Sequence, residues 1–303
     1  MAVNKILNKL SHYHSWLVPI FILMAAIIIR VIYLNQIEVM ATFDAPTMDE
    51  KYHLELVQSI NSDEGLPKEP FFRAPLYPLF LASLFKITND SFYQVRLIQL
   101  IIGSFLPLLM FLLGIKLFNR KIAFWLAVIA VFYPTFIYYD VSLLITFLIV
   151  LLSVLLVWQL YRCDGKSYVQ FIIVGILLGI AGLARPNILL LGPVLFIWIW
   201  IIIKPLVGWK RSLIGYALIG ITSFLIILPV SIRNYVVSGD FVLIAWQGGY
   251  NFFIGNNHRA NGWSATVPGI DRSWKAGYIQ SIATAEKQAG KKLKHSEVSD
   301  FWY

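Results

Sequence analysis

The chain has 303 residues, of which 58% are hydrophobic and 14% charged, and its net charge is +9. Soluble domains are nearer half apolar and a quarter charged, so this composition excludes a single soluble core and predicts an integral membrane protein. The positive charge lies mostly in short loops between apolar runs, as membrane topology requires, so nucleic acid is not expected as a partner. Cys163 is the single cysteine, which excludes an intrachain disulfide.

Seven apolar stretches are long enough to be predicted as spanning helices, which need about 20 residues. They lie at 16–34, 92–115, 122–139, 142–160, 168–184, 187–203 and 212–232. The apolar stretch 75–87 is too short to span and is predicted to be an interfacial helix. The predicted fold is an all-α, polytopic bundle with about seven transmembrane helices and with interfacial helices in the first external loop, residues 35–91.

Lysine and arginine in short loops mark the cytoplasmic side of a membrane protein. With the N-terminus inside, one large set of basic residues falls on that side: Lys5, Lys9, Lys116, Arg120, Lys121, Arg162, Lys166, Lys204, Lys210 and Arg211. The sequence therefore predicts a multi-pass protein of the cell (inner) membrane whose first loop is external. It also predicts a transmembrane domain over 1–232 and an extracytoplasmic segment over 233–303. The aromatic residues 301–303 indicate entry into a further span, so the segment is expected to be truncated.

The candidate site lies in the first external loop. Thr47 and Glu50 have the spacing of a capping box, so a helix is predicted to begin here. Asp49 and Glu50 then fall in its first turn, where the helix dipole alone is a sufficient reason for acidic residues. The alternative interpretation makes Asp49 a general base at the outer membrane surface. Arg73 and Tyr77 follow in the same loop, and this context favours the second interpretation.

In their order and in their side of the membrane, these motifs resemble the GT-C superfamily of membrane glycosyltransferases. The most similar families are the protein O-mannosyltransferases and the aminoarabinose transferases, with their bacterial cousins in glycosyltransferase families 39 and 83. The matching positions extend over nearly all of the chain: Asp49 and Glu50, Arg73 with Pro75, Leu76 and Tyr77, Val95 to Leu97, Gly179 to Pro186, and Arg233 to Asn257.

Two departures from the family pattern affect the site. The basic residue before the proline pair is often lysine in the family, whereas here it is Arg73, which keeps the charge. The families also carry a second carboxylate at the start of the fourth span, where residues 143–146 of this chain have no acid. The nearest acid is Asp140, which is predicted to be external. It is interpreted either as a substitute for that carboxylate or as an interfacial acid that caps the fourth span.

The resemblance implies a polyprenyl-phosphate sugar as donor, membrane lipid around its tail, and a glycan, lipid or protein as acceptor. Asp49 would take the proton of the acceptor, with Glu50 and Asp140 as the other catalytic candidates, and the sugar would be inverted. Arg73 is the first candidate for binding the leaving phosphate, because arginine binds phosphate in a bidentate manner. The further substrate-binding candidates are Tyr77, Arg96 and Arg185.

Several alternatives stay open. Arg96 and Arg185 are equally well interpreted as side chains that snorkel to lipid headgroups, and snorkelling is favoured for Arg30. No histidine, cysteine and acid cluster has metal-ligand spacing, so no metal or other cofactor is predicted; relatives with pyrophosphate donors use a divalent ion, which keeps that alternative open. The competing functions are a transporter or lipid flippase, a ligase or polymerase of lipid-linked glycans, and a non-catalytic scaffold. A transporter is disfavoured because no internal repeat is evident.

Overall fold

The computed structural model describes residues 2–265 and 267–303, with side chains from Leu17 onward except that of Trp274. The side chains of Lys5 and Lys9, part of the predicted inner charge, lie outside the described ones. In the described ranges every element of regular structure is a helix, which confirms the all-α prediction. In chain order the helices are α1 (Ala2–Ile37), α2 (Met48–Asn61), α3 (Leu76–Ile87), α4 (Phe92–Gly103), α5 (Phe105–Leu117), α6 (Arg120–Phe132), α7 (Pro134–Val141), α8 (Thr146–Arg162), α9 (Tyr168–Ala184), α10 (Leu191–Trp198), α11 (Lys204–Val207), α12 (Trp209–Ser238), α13 (Gly248–Asn256), α14 (Trp274–Ala289) and α15 (His295–Phe301).

Long apolar helices confirm a polytopic membrane protein. Four helical segments of the described chain are long and apolar enough to cross a membrane: Leu17–Ile37, Phe92–Leu117, Pro186–Val207 and Trp209–Ser238. α6 and α7 make a fifth span if this pair, which is bent by 52°, is counted as one. Apolar side chains on these helices are widely exposed, as expected of surfaces that face lipid.

The span predicted at 142–160 is shorter in the structure, whereas the span predicted at 168–184 keeps its predicted bounds. α8 and α9 have 17 residues each, which is at the lower limit for crossing the hydrocarbon core of a membrane. α8 begins later than the predicted 142 because Ser142 has an extended backbone and ends α7. The spanning role of α8 and α9 stays a prediction. The short helix expected at 75–87 is α3, and its position at the membrane surface also stays a prediction.

The described chain divides into two compact units, each assembled from two stretches of sequence. The first unit comprises residues 1–46 and 84–158, and the second comprises 47–83 and 159–303. In the first unit α1 packs against α4, α5, α6 and α7. One of its core clusters contains Ile22, Ala26, Phe111, Ala123, Ala127 and Val131.

In the second unit, α9 and α12 form an extensive helix pair. Gly175 permits their close approach, because a Cβ at this position would overlap Thr222 and the backbone of Ile219. The hydroxyl of Ser223 donates a hydrogen bond to the carbonyl oxygen of Gly175 at 2.8 Å. Small residues and interhelical hydrogen bonds are the main means of holding helices together in lipid, and this pair uses both.

The two ends of α12 contact different loops of the second unit. Near its start, Arg211 donates to the carbonyl oxygen of Gly165 at 2.8 Å and covers the ring of Tyr168. Near its end, Arg233 donates to the carbonyl oxygen of Glu69 at 2.7 Å. At 1.5 Å per residue, Arg211 and Arg233 are separated by about 33 Å of helix, close to the thickness of a hydrocarbon core. The basic loop before α9 and the loop that carries Glu69 therefore lie at opposite ends of one spanning helix.

The polar segment after α12 has a small core of its own. Its buried side chains are Val242, Trp246, Val267, Ile270, Ala285, Val298 and Trp302. α14 ends at Ala289 because Gly290 adopts a φ of 66°. α12 continues to Ser238, so the boundary predicted at 232 lies within a helix, and a division into domains there stays a prediction.

Candidate functional site

α2 places the predicted acidic pair as expected, but its start differs from the prediction. The helix begins at Met48, with Asp49 and Glu50 in its first turn. Thr47 is the N-cap residue, yet its side chain makes no capping hydrogen bond, so the predicted capping box is wrong. Met48 has a φ of 52°, in the left-handed region, whereas a capping box requires helical backbone at this position. The Glu50 side chain is half-buried, whereas that of Asp49 is exposed.

Asp49 and Arg73 form an ion pair in the second unit. The Arg73 Nη1 donates to Asp49 Oδ1 at 2.8 Å. The Asp49 side chain is 62% exposed and that of Arg73 is 25% exposed, so the carboxylate faces solvent while the guanidinium is largely covered. An exposed pair of this kind contributes only about 0–1 kcal/mol to stability, and either partner can therefore exchange it for a substrate group at small cost.

The Arg73 guanidinium stacks on the ring of Tyr52. Its guanidinium carbon is 4.7 Å from the centre of the Tyr52 ring, a cation–π distance. The buried Nε of Arg73 has no hydrogen-bond partner within the described ranges. Burial raises the pKa of Tyr52, against the charge of Arg73 and a hydrogen bond from its backbone, so the ring stays neutral beneath the cation. Arg73 is therefore held by stacking on Tyr52 and by its ion pair with Asp49.

His53 and Tyr77 form the layer next to Tyr52. The His53 ring meets Tyr52 edge-on at 5.5 Å and Tyr77 edge-on at 5.0 Å between ring centres. Both His53 and Tyr77 are buried. Burial, followed by the charge of Arg73, lowers the pKa of His53 to about 4, although Asp49 opposes this. His53 is therefore neutral at physiological pH and supports the site by packing.

Residues near the C-terminal end of α12 hold the loop before Arg73 by hydrogen bonds. Asn234 is fully buried; its Oδ1 accepts a hydrogen bond from the Phe71 backbone, and its Nδ2 donates to the carbonyl oxygens of Val242 and Ile244. The Trp246 backbone then donates to the carbonyl oxygen of Phe71 at 3.2 Å. The sequence marked Asn234 only as part of a matching motif. The Asn234 amide bonds three backbone groups at once, which gives this residue of the motif a structural role.

A second contact between this loop and the C-terminal segment involves Glu69. Its Oε2 accepts a hydrogen bond from the Tyr278 hydroxyl at 2.7 Å, and the Nε2 of His295 is 3.8 Å away. Tyr278 packs edge-on against Phe72 and tilted against Trp246. Sequence reasoning missed Glu69, because an acid in a polar loop has no distinguishing local pattern.

Asp140 and Arg30 lie in the first unit and correct two predictions. Arg30 was expected to snorkel to the headgroups, but it is fully buried and its Nε donates to Asp140 Oδ2 at 2.5 Å. One interpretation made Asp140 an interfacial acid that caps the fourth span, but it is 2% exposed and lies in the last turn of α7, before α8 begins. Its predicted external side stays a prediction. A charge inside a membrane protein requires a partner, and each of these residues supplies it for the other. A catalytic role for Asp140 stays a prediction, and its pairing with the buried Arg30 does not favour that role.

Arg96 also has a packing role in the first unit. It is 3% exposed, and it donates to the carbonyl oxygens of Val141 and Phe43, both at 3.0 Å. Its guanidinium covers the Phe43 ring at 4.3 Å. The snorkelling interpretation of Arg96 is therefore wrong, and phosphate binding by this residue stays a prediction. Arg185 is exposed directly after α9, where either interpretation still holds.

Across residues 2–265 and 267–303, the acids, histidines and cysteine form no group of three that could hold a metal ion. The side chains around Asp49 include a guanidinium and aromatic rings, which are not ligands for a metal ion. The expectation that the site works without a metal stays a prediction.

A comparison with protein families identifies this architecture. The family model described as dolichyl-phosphate-mannose-protein mannosyltransferase matches residues 70–232, more than half of the chain. The matched range includes Arg73 and begins after Asp49. No curated protein and no solved structure matches the chain at a significant level.

Proposed function

The chain belongs to the dolichyl-phosphate-mannose-protein mannosyltransferase family of GT-C membrane glycosyltransferases, and we propose that it transfers a sugar from a polyprenyl-phosphate donor to an acceptor at the extracytoplasmic face. The observation that carries this proposal is the contact of Asp49 with Arg73 at 2.8 Å. A base for the acceptor and a cation for the leaving phosphate are the two groups that such a reaction needs, and here they are adjacent.

Asp49 acts as the general base. The acceptor oxygen or nitrogen forms a bond to the anomeric carbon while the bond from that carbon to the phosphate oxygen breaks. The lipid phosphate leaves with the electron pair, and the acceptor proton moves to the Asp49 carboxylate. A positioned base of this kind contributes about 10²–10⁴-fold to a rate. Because attack and departure occur on opposite faces of the sugar in one step, the product has the inverted configuration.

Arg73 binds the departing phosphate. The guanidinium has five N–H donors in a fixed plane, of which one donates to Asp49 and one, at Nε, is buried, so three remain on the two terminal nitrogens. A phosphate can therefore bind in a bidentate manner while Tyr52 still covers one face of the guanidinium. The charge developing on the phosphate is neutralised at the moment the sugar leaves.

The position of α12 supports an extracytoplasmic site. The residues that hold the Arg73 loop, Arg233 and Asn234, lie at one end of this helix, and the basic loop contacted by Arg211 lies at the other. Short loops rich in lysine and arginine stay in the cytoplasm. This arrangement supports our proposal that the pair faces the outer side of the cell membrane and acts on a glycan, lipid or protein acceptor.

We expect Arg73→Gln to lower the rate of sugar transfer by about 10–100-fold, since one charge-assisted hydrogen bond is worth about 1.5–3 kcal/mol. Arg73→Lys keeps the charge but loses the bidentate geometry, so it should fall between Arg73→Gln and wild type. The measurement is the release of polyprenyl phosphate from radiolabelled polyprenyl-phosphate mannose, the class of donor that the family description names.

Lys68→Gln is the matched control, because Lys68 is an exposed cation of the same loop. It should leave the rate within twofold of wild type. Equal rates for Arg73→Gln and wild type would contradict the assignment of Arg73. A wild-type protein that moves the intact donor across the membrane without releasing polyprenyl phosphate would instead support the lipid-flippase alternative.

A further inference from the structure

A third acid lies on the loop that carries Arg73, and the reaction outlined above does not use it. Glu69 precedes Arg73 by four residues, so even a fully extended chain keeps their Cα atoms within about 14 Å of each other. Its side chain is 61% exposed. A group bound at Glu69 is therefore within reach of the Asp49–Arg73 pair, at roughly the span of one or two sugar rings.

The orientation of Glu69 is fixed at two points. Its carbonyl oxygen accepts a hydrogen bond from Arg233 at 2.7 Å, and its Oε2 accepts one from the Tyr278 hydroxyl at 2.7 Å. An acid whose only role is solubility has no need of a fixed carboxylate. The Oε1 atom accepts no hydrogen bond from any described residue, so one side of the carboxylate faces outward with its lone pairs available.

Tyr278 joins this carboxylate to a helix that packs next to the site. Its helix, α14, packs against α2, which carries Asp49. Burial, then the hydrogen bond and charge of Glu69, and then the nearby Tyr52 raise the pKa of Tyr278, so it remains a hydrogen-bond donor throughout the physiological range. The Tyr278 ring also packs edge-on against Phe72, the residue before Arg73, at 5.0 Å between ring centres.

We propose that Glu69 is an acceptor-binding residue, which accepts a hydrogen bond from a hydroxyl or ammonium group of the acceptor and orients it toward Asp49. This inference rests on the proposed transfer reaction and adds to it a subsite for the acceptor. Carboxylates are strong partners for such groups, because charge-assisted hydrogen bonds are about twice as strong as neutral ones.

A simpler role for Glu69 is to fasten α14 to the loop through Tyr278. The substitution Glu69→Gln separates the two roles. A glutamine amide oxygen can still accept the hydrogen bond from Tyr278, so a fastening role is kept, whereas the negative charge that binds the acceptor is lost.

The experiment uses full-length protein reconstituted into membranes of its source cell that lack the native chain, with radiolabelled polyprenyl-phosphate mannose as the donor probe. Two products are measured together: labelled acceptor, and free sugar released when water attacks the donor. For Glu69→Gln we expect about tenfold less labelled acceptor at limiting acceptor, with the release of free sugar unchanged. The control Glu64→Gln, an exposed acid of the same loop, should match wild type in both products.

Each other outcome overturns the proposal. Unchanged acceptor labelling by Glu69→Gln would leave Glu69 with the fastening role. An equal fall in both products would assign it to the donor side of the site. A wild-type protein that forms neither product would refute the transfer function itself, and Asp49→Asn, which should abolish both products, distinguishes that case from a failure of Glu69 alone.

Discussion

Asp49→Asn is expected to lower the rate of sugar transfer by about 10²–10⁴-fold, the contribution of one positioned base. Asparagine has nearly the same shape and can still accept a hydrogen bond from Arg73, but it cannot take a proton. Asp49 is 62% exposed, and its pair with Arg73 is a surface one, so the thermal midpoint of unfolding should change little. The rate is measured with purified protein at saturating donor and acceptor.

Asp63→Asn is the matched control for this variant. Asp63 is an exposed acid just after α2, on the same loop as Asp49, and its replacement changes net charge by the same amount. The control should keep the wild-type rate. Full activity of Asp49→Asn would remove Asp49 as the base, and the reaction would then have to use another proton acceptor.

Breaking the Arg30–Asp140 pair is expected to destabilise the first unit strongly. Asp140→Leu leaves the fully buried Arg30 without a counter-charge, and Arg30→Met leaves the carboxylate equally unpaired. Removing one partner of a buried ion pair costs about 3–5 kcal/mol. Asp140 also sits against Gly103, where a Cβ would overlap its carboxylate, so the site has no room to rearrange. Thermal unfolding in detergent is the measurement, with each single variant expected to unfold at a clearly lower temperature.

The double variant Arg30→Met with Asp140→Leu tests whether the pair acts as a unit. Replacing a buried pair by apolar residues of similar volume is often nearly neutral, so the double variant should regain most of the stability that either single change loses. Additive losses in the double variant would show that the two residues act independently. Loss of transfer in a fully stable double variant would restore Asp140 to the list of catalytic candidates.

The membrane fold could be predicted from the sequence because the signal is local. Each of the seven apolar stretches is mainly helical in the structure, some of them divided between two or more helices, since about 20 consecutive apolar residues in lipid have few alternatives to a helix. Helix lengths were less predictable. Ser142 ends α7 and delays α8, and the bend between α6 and α7 precedes Pro134, details that depend on single residues.

The candidate site could be predicted in part. Asp49 lies in the first turn of a helix and Arg73 lies two residues before Pro75, and both positions could be recognised from the local sequence. Their partners were not predictable, because each contact joins distant positions. Arg30 contacts Asp140 over a separation of 110 residues, and Asn234 contacts Phe71 over 163. Charge and hydropathy patterns contain no information on such contacts, so they predicted snorkelling for Arg30 and an interfacial position for Asp140.

The configuration of the transferred sugar is the most direct test of the reaction assigned to Asp49 and Arg73. A donor of known anomeric configuration is supplied to the purified protein, and the configuration of the new glycosidic bond is determined by nuclear magnetic resonance. One displacement, with a base on one side and a phosphate ligand on the other, gives the inverted product. A product with the donor's own configuration would require two displacements, for example with the Asp49 carboxylate as nucleophile, and would contradict its role as the general base.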